Sequence, residues 1–102
     1  MRTARALQLV RDAGDNATRG DLVDLVLEVG ELLLTKNASY GDSALNPLRV
    51  FSQSHPIEAL RVRLDDKLTR LARVGPDQLG EDTYLDILGY LCLLVIAERR
   101  RA

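Results

Sequence analysis

Apolar residues recur along this chain at helical spacing, and the places where the recurrence starts and stops predict four helical segments. Between Arg2 and Ala13 small, apolar and charged residues alternate, with Ala6, Leu7, Leu9 and Val10 available to one face and Gly14 as a stop. This predicts a short, weakly amphipathic helix within residues 1–14. Asp15-Asn16-Ala17 reads as a turn, and Thr18 with Asp21 three residues later resembles a capping box. The second helix is therefore placed at 18–37, with Leu22, Leu25, Val26, Val29, Leu32 and Leu33 as a broad core stripe. Turn formers from Asn37 to Ser43 and the break at Asn46-Pro47 make residues 38–54 a mostly irregular connection. A loop of that length in a small domain is more often functional than idle. Ser54 as cap and Pro56 in the first turn start a third helix over 55–74, whose core stripe reads Ile57, Leu60, Leu64, Leu68 and Leu71. Gly75-Pro76 ends it, Asp77 to Gly80 forms the last loop, and the final helix runs over 80–101.

The final helix organises the rest. After the acids Glu81 and Asp82 it becomes almost wholly apolar through Ala97, with Asp86 the charge inside. A helix apolar on all sides is expected to be buried, and a buried carboxylate is costly unless it meets a cation, a metal or several donors. Asp82 lies one turn before Asp86 on the same side, and Gly89 continues that side with no side chain. Two acids beside a gap point to a ligand.

Composition narrows the classes. A chain of 102 residues, nearly half of them apolar, is expected to be one globular all-α domain spanning 1–102, near the small end for a self-sufficient core. The formal net charge of −1 gives no global electrostatic case for nucleic acid or an anionic membrane. The apolar run Leu85–Ala97 falls short of the roughly 20 residues that span a bilayer, which argues against a membrane location. Met1-Arg2 precede no long apolar run, which argues against a signal peptide. A single cysteine, Cys92, sits among apolar residues and reads as a small core residue in a reducing, cytoplasmic setting. No phosphate-cradling glycine loop and no Cys/His zinc cluster is present.

Two helices carry sets of carboxylates and a third carries a row of cations. Asp21, Asp24, Glu28 and Glu31 are spaced by three, four and three residues. At ~100° per residue they fall within about 80° of one another and make an acidic ridge. On the third helix Arg63, Lys67 and Arg70 lie on consecutive turns of one side, suited to holding phosphates. A salt-bridged solvated face, with Asp66 and Arg70 paired four residues apart, is the plainer reading of the same residues. His55, at the loop–helix junction, reads as a capping or surface residue. Oxygen-only ligands suit Mg²⁺ or Mn²⁺, and magnesium bridging phosphates with Lys and Arg on the outer oxygens suits phosphoanhydride hydrolysis.

Three motifs in this order resemble the phage and bacterial nucleotide modification associated all-helical domain. They are Tyr40-Gly41, then Arg63 with Asp66-Lys67-Leu68-Thr69-Arg70-Leu71, then Asp82-Thr83-Tyr84-Leu85-Asp86 with Tyr90. The likeness covers roughly residues 21 to 97. That domain is similar to the MazG-like all-α nucleoside triphosphate pyrophosphatases, which bind magnesium with a Glu-Glu-x-x-Glu helix and a Glu-x-x-Asp helix. This chain has Glu28-x-x-Glu31 with Leu27 in the leading position, Asp82-x-x-x-Asp86 one residue wider, and a basic helix between them.

The resemblance implies a small MazG-like bundle; four to five helices in about 100 residues leave much apolar surface to cover, so assembly as a homodimer or homotetramer is expected. The resemblance also implies a phage-encoded, Mg²⁺-dependent (or Mn²⁺-dependent) pyrophosphohydrolase acting on a deoxynucleotide, modified or not, in the bacterial cytoplasm. Glu28, Glu31, Asp82 and Asp86 would be the catalytic metal ligands. Asn37, Tyr40, Arg63, Lys67 and Arg70 would bind the substrate. Two other readings stand beside it: a non-catalytic protein that binds a nucleotide, a cyclic nucleotide or a host protein through the same pocket, and an assembly module in which Asp86 salt-bridges Arg63 or Arg70.

Overall fold

The computed structural model describes residues 3–13 and 17–101. Four α-helices make up its regular structure: α1 (Ala4–Ala13), α2 (Ala17–Tyr40), α3 (Pro56–Val74) and α4 (Pro76–Arg101). No strand occurs among the described residues. The chain divides into two compact units, Met1–Lys36 and Asn37–Ala102.

In the first unit Thr3 opens α1. Its Oγ1 accepts from the Ala6 amide at 3.1 Å, satisfying one of the amide donors that a helix N-terminus leaves free. Ala6 is buried, whereas Leu7 and Leu9 are exposed. The expected stop at Gly14 and the turn residues Asp15 and Asn16 lie outside the described residues. Helix α2 begins at Ala17, so Thr18 sits within its first turn rather than at a cap. It ends at Tyr40, three residues past the expected boundary at 37. Of the expected stripe only Val29 is buried and Leu33 half-buried, while Leu22, Leu25, Val26 and Leu32 are exposed. Helical spacing marks which residues share a face; it does not supply an element to cover that face.

The second unit opens with the end of α2 and a braced loop. Gly41 and Asp42 both take left-handed backbone, with φ of 62° and 63°. Asp42 holds the turn by accepting from the Asn37 and Asn46 side-chain amides at 2.9 and 2.6 Å. Such local bonding is what lets an aspartate adopt this conformation.

Helix α3 starts one residue later than the expected cap at Ser54. Proline 56 disfavours helical backbone in the residue before it, so His55 is held extended and becomes the N-cap. Its Nδ1 accepts from the Ile57 amide at 3.2 Å. At the other end Gly75, with φ of 90°, donates to the Leu71 carbonyl at 3.0 Å and turns the chain directly into α4. That positive φ suits glycine alone. Gly80, at φ 69° and ψ −169°, interrupts α4 after its first turn, so the regular part begins at Glu81, close to the expected start at 80.

Helices α3 and α4 pack together. On α3 Ile57, Leu60, Leu64, Lys67 and Leu71, all buried or half-buried, recur at steps of three and four, as a packing seam requires. Lysine 67 takes the place expected for Leu68, which is exposed. On α4 the matching seam is Thr83, Asp86, Tyr90, Leu93 and Ala97, all buried or half-buried. Lys67 Nζ lies 3.2 Å from Asp86 Oδ2, and further along Arg61 reaches Glu98 at 3.5 Å, so the two helices run antiparallel. With that register Leu64 comes level with Tyr90, Leu60 with Leu93 and Ile57 with Ala97. In the other direction Leu71 comes level with Thr83. One ion pair therefore interrupts an otherwise mainly apolar seam.

The expectation that α4 is buried on all sides does not hold in this unit. Tyr84, Leu88, Leu91, Val95 and Ile96 are exposed, and Cys92 is half-buried. A single partner helix covers one side of a helix and leaves the other open.

Candidate functional site

The Lys67–Asp86 pair is where the two charged motifs of the second unit meet. Its side chains are 22% and 33% exposed, so the pair is partly withdrawn from water yet reachable from it. In the hairpin register it lies between the Leu64/Tyr90 and Leu71/Thr83 levels of the seam. A charge pair in such surroundings is stronger than at an open surface, and losing one partner costs more.

The other residues named from the sequence fall around this pair in different ways. Arg63 and Arg70 lie one turn to either side of Lys67 on α3 and are exposed, as their place in the cation row requires. Neither is the partner of Asp86; Lys67 occupies the seam position and takes that role. Among the described residues the side-chain ion pairs of α3 are those of Arg61, with Glu58 and Glu98, and of Lys67, so Asp66 and Arg70 are not seen paired. Asp82 is exposed one turn before Asp86. Thr83, between them, is buried.

Asn37 and Tyr40 belong to the last turn of α2, where the unit opens. The Asn37 amide is engaged by Asp42, while the Tyr40 ring is exposed. Glu28 and Glu31 belong to the first unit and are exposed on α2 with Asp21 and Asp24. Among the described residues no group of three or more Asp, Glu, His or Cys side chains is placed to hold a metal ion.

Sequence reasoning missed two participants. Asp42 braces the Tyr40-Gly41 loop, and the signal for it was the Asn37/Asp42/Asn46 spacing, which brings two amides within reach of one carboxylate. Arg49, at φ 61°, exchanges bonds with Gln53: its Nη1 donates to the Gln53 carbonyl at 3.2 Å, and Gln53 Nε2 donates to the Arg49 carbonyl at 3.3 Å. The loop tip between them carries Phe51, which is 99% exposed.

Chemically, a lysine ammonium and a carboxylate beside two flanking arginines form a place where an anion can be bound and oriented, with a proton acceptor at hand. None of the described helices is long and apolar enough to cross a membrane. Compared with protein family models, with curated proteins and with solved structures, the chain shows no match.

Proposed function

We propose that this chain handles a nucleoside triphosphate at the α3–α4 hairpin and hydrolyses it to a nucleoside monophosphate and pyrophosphate, as a cytoplasmic, phage-type homo-oligomer. The observation that carries this reading is the Lys67–Asp86 pair, which joins the cation row of α3 to the Asp82/Asp86 helix at one point. Arg63, Lys67 and Arg70 bind the phosphate oxygens, where planar guanidinium groups and a lysine charge suit a polyphosphate. Asp86 orients Lys67 and is the acceptor nearest to it. Tyr40 borders the base. One water is consumed and the α–β phosphoanhydride is broken, with no redox change.

Magnesium or manganese would neutralise the phosphates in such a reaction. Of the carboxylates expected to hold the ion, Asp82 and Asp86 belong to the second unit and Glu28 and Glu31 to the first. Within the second unit the donor set is incomplete, because Lys67 pairs with Asp86 and no group of three or more metal-ligating side chains occurs among the described residues. No step is therefore routed through the ion. That same incompleteness favours a second reading, in which the hairpin binds the nucleotide, or a cyclic nucleotide, and does not turn it over.

Pyrophosphate release from the deoxy- and ribonucleoside triphosphates, with Mg²⁺ and with Mn²⁺, separates the two. Hydrolysis predicts metal-dependent release that Asp86→Asn abolishes. Full turnover by Asp86→Asn defeats the assignment, and binding without release by the wild type selects the second reading.

A further inference from the structure

Helix α4 carries a second seam on the side away from α3. Tyr84, Leu88, Leu91 and Val95 follow one another at steps of four, three and four, the spacing by which one helix packs along another, and all four are exposed. At the C-terminal end of this seam Leu91, Leu94 and Val95 line an open apolar groove rimmed by Glu98 and Arg99. At its N-terminal end Tyr84 projects a large, rigid, amphipathic ring. Knob and groove lie eleven residues apart on one helix, about 16 Å along its axis. The ends are oppositely charged as well: Glu81 and Asp82 at one, Arg99, Arg100 and Arg101 at the other.

We infer that a second copy of this chain docks on this seam, α4 against α4, antiparallel about a two-fold axis between Gly89 and Tyr90. The inference rests on the homo-oligomer part of the reading above and names its interface. In this register Tyr84 of each copy enters the other's groove beside Val95, and Leu88 meets Leu91. Each basic end comes within a turn of the other copy's acidic end. A two-fold contact must be self-complementary, and this face supplies both the knob and the hole, and both signs of charge. A parallel pairing would stack like charges at both ends and leave each groove facing a groove. The same contact buries the apolar surface that a small two-helix core leaves open.

The test is the solution mass of the full chain by light scattering, beside Val95→Glu, together with a cross-linking pair. Wild type is expected as a dimer or a higher even oligomer, and Val95→Glu is expected to lower the mass by half or more with helicity retained. A monomeric wild type overturns the inference together with the oligomer reading. Val95→Glu that keeps the full mass overturns the seam alone and leaves the oligomer standing. If Val95→Glu loses helicity, the cross-links decide. In a Cys92→Ala background, Tyr84→Cys mixed with Val95→Cys should give a disulfide-linked dimer that neither variant gives by itself. Self-cross-linking of either variant, or none in the mixture, contradicts the antiparallel register.

Discussion

Leu60→Ala is expected to destabilise the protein by about 3 kcal/mol, the usual cost of truncating a fully buried leucine whose surroundings collapse only in part. Leu60 is 0% exposed and lies in the middle of the α3 stripe, between Ile57 and Leu64. In a chain of this size each kcal/mol corresponds to roughly 4–8 °C in melting temperature, so the variant should melt at least ~10 °C below wild type. Thermal unfolding followed by circular dichroism gives the value. Phe51→Ala is the control: a larger side chain is removed from a position 99% exposed, and the change should stay within about 0.5 kcal/mol. Equal effects of the two substitutions would mean that the α3–α4 seam is not where the core lies.

The second large effect concerns the ion pair within that seam. Lys67→Met removes the ammonium that lies beside the Asp86 carboxylate in the seam, and Asp86→Leu removes the carboxylate from beside the ammonium. Each single change is expected to cost about 1–2 kcal/mol, less than for a fully buried pair because water still reaches both groups. The double variant Lys67→Met/Asp86→Leu restores an apolar layer and should return to within about 1 kcal/mol of wild type. The coupling between the sites is then of the order of 1–3 kcal/mol, measured by a double-mutant cycle in denaturant. Activity should behave differently, since the double variant recovers the fold but not the phosphate-binding charge or the acceptor. Additive stability losses would show that the pair is a surface contact with no part in the seam.

Much of the fold was legible in the sequence, for identifiable reasons. Proline 56 and Gly75-Pro76 mark the ends of α3 because their backbone restrictions act locally, and the structure places the helix between them. The step from Ser54 to His55 as the cap turns on the residue that Pro56 itself holds extended. Other features were not legible because they depend on what lies across a contact. From Leu64 the stripe of α3 continues with equal helical spacing to residue 67 or to residue 68, and hydrophobicity alone selects Leu68. Asp86 on the facing helix decides for Lys67. The broad stripe of α2 and the apolar girth of α4 were read as core, yet a helix can be covered only as far as it has partners. Several of those residues, among them Leu22, Val26, Leu91 and Val95, are exposed. As for the candidate site, spacing placed Arg63, Lys67 and Arg70 on one side of α3 and Asp82 with Asp86 on one side of α4. The pairing that joins the two rows comes from the hairpin register.

The central claim is that the α3–α4 hairpin binds nucleotide through Lys67 and Asp86. Its most direct test is calorimetric titration of a non-hydrolysable deoxynucleoside triphosphate analogue, with Mg²⁺ present, into wild type and into Lys67→Met/Asp86→Leu. The account predicts saturable binding by wild type and a loss of at least about tenfold in affinity, roughly 1.4 kcal/mol, in a double variant that melts at nearly the same temperature. Equal affinity in the two proteins, or no binding by wild type, would contradict it.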